Sequence, residues 1–352
     1  MKYLFSYFIF LAFIASLHAE EIIPNDPYYS SQWELARSPR TYLRFPDGIN
    51  APSAWKIRTS AASIIVAVVD TGICYTHEDL AANMWQNDHP TCNDIYGCDA
   101  VHSTNNTTYD ISGDPMDDAN QAAKGHGTMC AGIIGAAGNN NIGITGIAWE
   151  VQLMACKCFD SAGNAADSDA IICIDYACNH GAKIINCSWG HSGMNVDASA
   201  FLEALKRAQS QGVIIVAAAG NSGSNNDLWP EYPASCGLDN IVAVAATDGN
   251  DHLAQLSNYG PTTVHLGAPG SSIYSTSITT TDISRHPFYD HMSGTSMAAP
   301  HVTGALALMM AEFPNLYYRE IIAKLLAATD PVPDLQGKII AGRLNIAKAL
   351  EH

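Results

Sequence analysis

The stretch Ser63-Ile64-Ile65-Val66-Ala67-Val68-Val69-Asp70-Thr71-Gly72 is apolar without alternation until a carboxylate and a glycine close it. Such a run predicts a parallel strand buried on both faces, because a strand with one wet face alternates. Its end puts Asp70 at the strand's carboxyl edge, where open α/β sheets build their sites. A strand-ending aspartate is as often a cap, so the position alone assigns it no role.

The same rhythm continues downstream. Residues 151–158, 183–188, 213–219, 241–246 and 264–268 read as strands, with helices predicted over 165–179 and 196–211 between them. Alternating strand and helix predicts a parallel sheet with helices on both faces, in one α/β domain. Two segments break the pattern. Residues 23–54 form an irregular arm rich in Pro, Tyr and Trp, and residues 85–124 a long polar insertion carrying Asp110, Asp114, Asp117 and Asp118. Those acids suit a hard cation or merely a solvated loop. Asn105-Asn106-Thr107-Thr108 holds two overlapping glycosylation sequons.

Three more stretches carry chemistry-bearing side chains. Ser293-Gly294-Thr295-Ser296-Met297-Ala298-Ala299-Pro300-His301-Val302-Thr303-Gly304 opens a helix almost without charge, which predicts burial. Pro300 is expected in its first turn, where a missing N–H costs little. Ser296 then lies beside unpaired backbone N–H groups, as a cap or as a nucleophile whose oxyanion they stabilise. Gly125-His126-Gly127-Thr128 starts another small-residue helix, its glycines letting backbone approach the imidazole. Ala217-Ala218-Ala219-Gly220-Asn221 ends a strand on a carboxamide, either a turn residue or an oxyanion donor.

Composition narrows the class. The chain has 352 residues and a formal charge of -17, which disfavours nucleic acid and anionic membranes as partners. Met1 to Ala19 reads as a signal peptide, and no other uncharged run is long enough for an anchor, so secretion without an anchor is expected. All ten cysteines follow that segment. Cys92 and Cys98 flank a short polar loop and are the best disulfide candidates, whereas Cys156, Cys158, Cys173, Cys178 and Cys187 sit in apolar patterns that suit small buried hydrophobes.

Val68-Val69-Asp70-Thr71-Gly72, Gly125-His126-Gly127-Thr128 and Gly294-Thr295-Ser296-Met297-Ala298 each resemble a signature of the subtilisin-like serine peptidases, in that family's order of Asp, His and Ser. Ala218-Ala219-Gly220-Asn221 resembles the family's oxyanion segment. The resemblance extends from about Pro24 to the C-terminus and implies a three-layer sandwich with a mostly parallel, twisted central sheet. With the reading of the N-terminus, the expected organisation is a signal peptide (1–19), an N-terminal arm (20–62) and one peptidase domain (63–352). The family's folding pro-domain is not expected here, which leaves three alternatives: the arm and bound calcium suffice for folding, another protein assists as a separate folding helper or inhibitor, or the chain folds poorly. The insertion over 38–50 also departs from the pattern.

Carried over residue by residue, the resemblance makes Ser296 the nucleophile, His126 the general base and then acid, Asp70 the group orienting it, and Asn221 an oxyanion donor. Ser188, Trp189, Gly190, Ala219 and Gly220 resemble the strands on which a peptide lies. Glu231 matches the base of the pocket for the residue preceding the cut, where a carboxylate favours Lys or Arg. Asp26, Asp79, Gly138, Asn140, Ile142 and Ile144 resemble a structural Ca²⁺ site. Cys130 resembles a free thiol beneath the histidine, open to mercury.

The expected protein is therefore a secreted, monomeric, calcium-stabilised serine endopeptidase acting on polypeptides. Two other classes stand beside it. A catalytically silent calcium-stabilised binding protein would have lost one of the four catalytic side chains. An esterase-like serine hydrolase would carry a Gly-x-Ser-x-Gly elbow, which this chain lacks.

Overall fold

The central strand β1 spans Ser60–Asp70, beginning three residues before the apolar run and ending on the aspartate. Around it the computed structural model describes residues 21–35, 48–101, 113–118, 124–192, 200–278 and 288–352. The other strands are β2 (Gly97–Asp99), β3 (Glu150–Lys157), β4 (Ile184–Cys187), β5 (His191–Ser192), β6 (Ile214–Ala218), β7 (Glu231–Tyr232), β8 (Ile241–Thr247), β9 (Leu266–Pro269), β10 (Ile273–Ser277) and β11 (Phe288–Met292). The helices are α1 (Ala51–Trp55), α2 (His126–Gly135), α3 (Asp167–Asn179), α4 (Ala200–Ser210), α5 (Thr295–Glu312), α6 (Tyr318–Ala327) and α7 (Ile346–Leu350).

Seven strands form one parallel sheet in the order β2-β3-β1-β4-β6-β8-β9. The chain leaves β1 toward β3 on one side and later returns to β4 on the other. The carboxyl ends of β1 and β4 therefore flank the switch point at which such sheets open a crevice. Both faces of β1 are dry. Val66 and Val68 join the core under α2 and α5, with Met129, Ala298 and Val302, while Ala67 and Val69 join the core under α3 and α4, with Ile174 and Phe201. This two-sided burial is why the run does not alternate.

Helix α5 is the buried helix its composition predicts, with every residue from Thr295 to Met309 out of solvent. Pro300, however, is its sixth residue rather than part of the first turn, so the N–H it lacks is one the helix needs. Likewise α2 begins at His126 itself, with Gly125 as its cap in the left-handed region at φ 73°.

The cysteine expectation is corrected. All ten thiols are free, and Cys98 is buried with its Sγ 3.8 Å from that of Cys173, whereas Cys92 is exposed. The reason is that residues 97–99 are not loop but the edge strand β2, whose pairing with β3 turns Cys98 into the apolar layer beneath α3. The polar insertion thus completes the sheet. Its acids are also committed: Asp117 to Thr128, Asp118 to Lys157 and Asp114 to the Tyr75 hydroxyl, rather than gathered around a cation. The signal peptide, the sequons, Asp110, most of the 38–50 insertion and positions 196–199 lie outside the described residues.

Close contact between α5 and the chain before β3 rests on Gly304, where an added Cβ would come within 2.6 Å of the Ile147 Cβ. Gly304→Val should overpack this contact and cost about 1–3 kcal/mol, read as a lower midpoint in urea or thermal unfolding.

Candidate active site

Asp70 is 1% exposed at the end of β1. Its Oδ1 accepts from the Thr71 N–H at 2.8 Å and lies 2.7 Å from His126 Nδ1. A carboxylate only accepts, so the contact puts the ring proton on Nδ1 and leaves Nε2 as the basic nitrogen. The approach depends on Gly127, where a Cβ would sit 2.2 Å from the Gly72 carbonyl oxygen. Thr71 fastens the same junction, its Oγ accepting from the Gly127 N–H at 2.9 Å. A second carboxylate stands behind: Asp117 Oδ2 accepts from the Thr128 N–H at 3.1 Å and from its hydroxyl at 2.7 Å, in the first turn of α2. Burial lowers the His126 pKa, but the charge and hydrogen bond of Asp70, with the charge of Asp117, outweigh it and leave the ring above its ordinary 6.5.

Ser296 is the second residue of α5 and 7% exposed. It lies in the first turn, where the helix offers its N–H no acceptor. Asn221 follows β6, and its Oδ1 accepts from the Thr295 N–H at 2.8 Å and the Thr295 hydroxyl at 3.0 Å. A backbone donor fixes which end of the amide is oxygen, so the Nδ2 points the other way. A Cβ placed on Gly294 would meet Ser296 Oγ at 2.8 Å and Asn221 Nδ2 at 3.4 Å, so hydroxyl and amide border the same small space. Cys130 joins the two halves of the site. Its Sγ lies within 4.8 Å of ligand atoms of Asp70 and His126, and it donates to the Ser296 carbonyl at 3.6 Å.

Residues 188–190 extend β4, and Ala219 and Gly220 extend β6. Between them lies the Glu231 side chain. A Cβ on Gly190 would come within 2.9 Å of Glu231 Cγ, and one on Gly220 within 3.2 Å of the same atom. Two glycines thus open the slot that the carboxylate occupies. Burial raises the Glu231 pKa, and the neighbouring His191 only partly offsets this. The Ser188 and Trp189 side chains turn inward: the Ser188 hydroxyl donates to the Ser296 carbonyl at 2.8 Å, and the Trp189 indole to the Val69 carbonyl at 2.7 Å. Both side chains are thus committed to backbone carbonyls of the protein itself.

The Subtilase family pattern matches residues 61–341. Thermitase from Thermoactinomyces vulgaris is 35% identical over 329 residues, covering 94% of this chain and 99% of thermitase. The chain belongs to the subtilase family. It is a serine endopeptidase. A thermophilic serine proteinase from Bacillus sp. (strain AK1) is 36% identical over 292 residues, 83% of this chain and 61% of that one. Among solved structures, a protease from Pseudoalteromonas arctica PAMC 21717 superposes with a TM-score of 0.76 at 29% identity, covering 93% of this subtilase and 98% of that chain.

The loop of this subtilase over 138–144 gathers the residues expected at a metal. Asp26 accepts from the N–H groups of Asn139 and Asn140 at 2.8 and 3.2 Å. Asp79 accepts from Asn140 Nδ2, the Ile144 N–H and the Tyr289 hydroxyl, at 3.0, 2.9 and 3.0 Å. Asn140 turns its oxygen to the Ile142 N–H, and Gly138 packs against Trp149. None of these donors is Lys or Arg. Burial, with a smaller push from the charge of Asp26, raises Asp79 to about 6. Two crowded carboxylates without a basic partner among these contacts fit a hard cation.

Three contributors escaped the sequence reading. Asp117 sat among acids indistinguishable from a solvated loop, and Thr295 reads only as part of a turn. Lys157 is 1% exposed, and its Nζ donates to the Thr71 and Phe159 carbonyls at 2.9 and 2.8 Å and to Asp118 at 2.6 Å, clamping the backbone beside Asp70. A lone lysine in the apolar 151–158 run was its signal.

The sign of the His126 shift is testable. A ring held protonated contributes stability below its unfolded value near 6.5 and loses it as pH rises through the folded value. Titrating the ring by NMR should give a pKa above 6.5, and Asp70→Asn should bring it down, since burial then prevails.

Proposed function

We infer that Ser296 attacks the peptide carbonyl while His126 Nε2 takes its proton, with Asp70 holding the ring in the required tautomer. The Asn221 amide and the Ser296 N–H would receive the oxyanion. His126 would then return the proton to the leaving amine, and water would release the acyl group by the same steps reversed. The observation that carries this reading is the 2.7 Å contact between buried Asp70 and His126 Nδ1, at the edge of the sheet where Ser296 and the freed Asn221 amide also converge. An imidazole pKa above 6.5 supports a base that works in neutral to alkaline solution and fails as acid protonates it.

Glu231 supports a preference for Lys or Arg before the cut. Its carboxylate has no ion-pair partner among the described residues and lies between Gly190 and Gly220, so an incoming cation would relieve its burial. Peptide backbone would pair along 188–190 and 219–220, as an added strand does. The 138–144 loop, with Asp26 and Asp79, would hold a structural Ca²⁺. That ion would neutralise the paired carboxylates and tie the arm to the domain. Export as a monomer without an anchor is the reading for location, and among the described residues no helix is long and apolar enough to cross a membrane.

The first experiment is hydrolysis of fluorogenic peptides that differ only in the residue before the cut. Ser296→Ala should abolish turnover in a folded protein, and Asn221→Ala should lower kcat by roughly 10²–10³. Wild type should favour Lys and Arg, and Glu231→Gln should erase that preference while keeping activity on neutral residues. Equal rates on basic and aromatic peptides would rule out the Glu231 assignment.

Chelation gives an independent check on the cation. EDTA should lower the thermal midpoint of wild type and leave that of Asp79→Asn unchanged, as followed by circular dichroism.

A further inference from the structure

In an α-helix the carbonyl of each residue accepts from the N–H four residues on. For Ser296 that donor would be Pro300, which has none. The carbonyl is in a buried turn, where an unpaired acceptor is costly. Two side chains from other elements reach it instead: the Ser188 hydroxyl at 2.8 Å and the Cys130 thiol at 3.6 Å.

Both donors are themselves located by the fold. Ser188 directly follows β4, and its Oγ accepts from Asn186 Nδ2 at 2.9 Å. Asn186 in turn accepts from the Thr303 hydroxyl at 2.9 Å, which returns the chain of bonds to α5. Cys130 lies one turn beyond His126 in α2. Burial pushes its thiol far above the usual value, so it remains S–H and a donor.

We propose that Ser188 and Cys130 are positioning residues whose hydroxyl and thiol replace the helix hydrogen bond that Pro300 withholds from Ser296. The proline frees the carbonyl of the serine from its own helix. The two donors then register that backbone against the strand end beside the substrate and against the helix that carries His126. A nucleophile whose backbone is fastened to both elements is held at a fixed distance from the imidazole. The inference rests on Ser296 being the nucleophile, which the Ser296→Ala control decides separately.

The test compares Ser188→Ala in two backgrounds, native and Pro300→Ala, by kcat, KM and thermal midpoint on one peptide. In the native background kcat should fall by about ten-fold with KM changed by less than about two-fold, as expected for a displaced nucleophile. In the Pro300→Ala background, where the helix regains the missing N–H, the same substitution should cost less than about two-fold. Cys130→Ala should show the same dependence with a smaller loss, and Cys130→Ser should retain most of the rate. This second pair carries the test should Ser188→Ala fail to fold. A loss in KM rather than kcat, or equal losses in both backgrounds, would overturn the proposal. Should Ser296→Ala keep its activity, the nucleophile assignment falls, and this inference with it.

Discussion

Burial of β1 on both faces is the constraint from which the site follows. A strand with cores above and below has only its ends exposed, and its carboxyl end is where the apolar run stops, on Asp70. The parallel neighbours β4 and β6 end at the same edge, delivering Ser188 and Asn221 there. Helices α2 and α5 pack on one face and start at that edge, bringing His126 and Ser296 with their first turns. Five segments far apart in sequence meet because one sheet has one carboxyl edge.

Placing ionisable groups at a dry edge is costly unless each has a partner. Asp70 has Thr71 and His126, Asp117 has Thr128, and Lys157 has two carbonyls and Asp118. The arrangement is asymmetric around the imidazole. The charges of two carboxylates, Asp70 and Asp117, act on it, while the lysine charge is spent on Asp118 and two carbonyls, so the ring is held as a stronger base than in water. Glu231 is the exception, a half-buried carboxylate whose partner the described residues do not provide.

The α/β class, the strand order in sequence and the four side chains of the site were all legible, because each sits at a break in a strong local pattern: an apolar run ending on Asp, or glycines flanking His126. What stayed hidden depends on partners distant in sequence. Residues 97–99 look like loop, and only β3 makes them a strand and sends Cys98 to Cys173 rather than Cys92. Pro300 looked harmless on the assumption of a late helix start, since nothing local shows that Asn221 captures the Thr295 N–H and lets the helix begin there. Ser188 read as part of a substrate strand, yet its hydroxyl turns inward to a residue more than a hundred positions away.

The few basic residues of the chain are also unusually occupied. Lys157 lies in the core, Arg343 is buried between Asp251 and Asp330, and Arg58, Arg207 and Arg319 are each ion-paired. A peptidase is surrounded by copies of itself at every stage of its working life, and the preference proposed for the Glu231 slot makes Lys and Arg the positions that matter. The chain holds seventeen such residues against thirty-four acidic ones, and several of the seventeen are locked in place. Under that proposed preference, the acidic composition would itself limit self-digestion through the choice of residues.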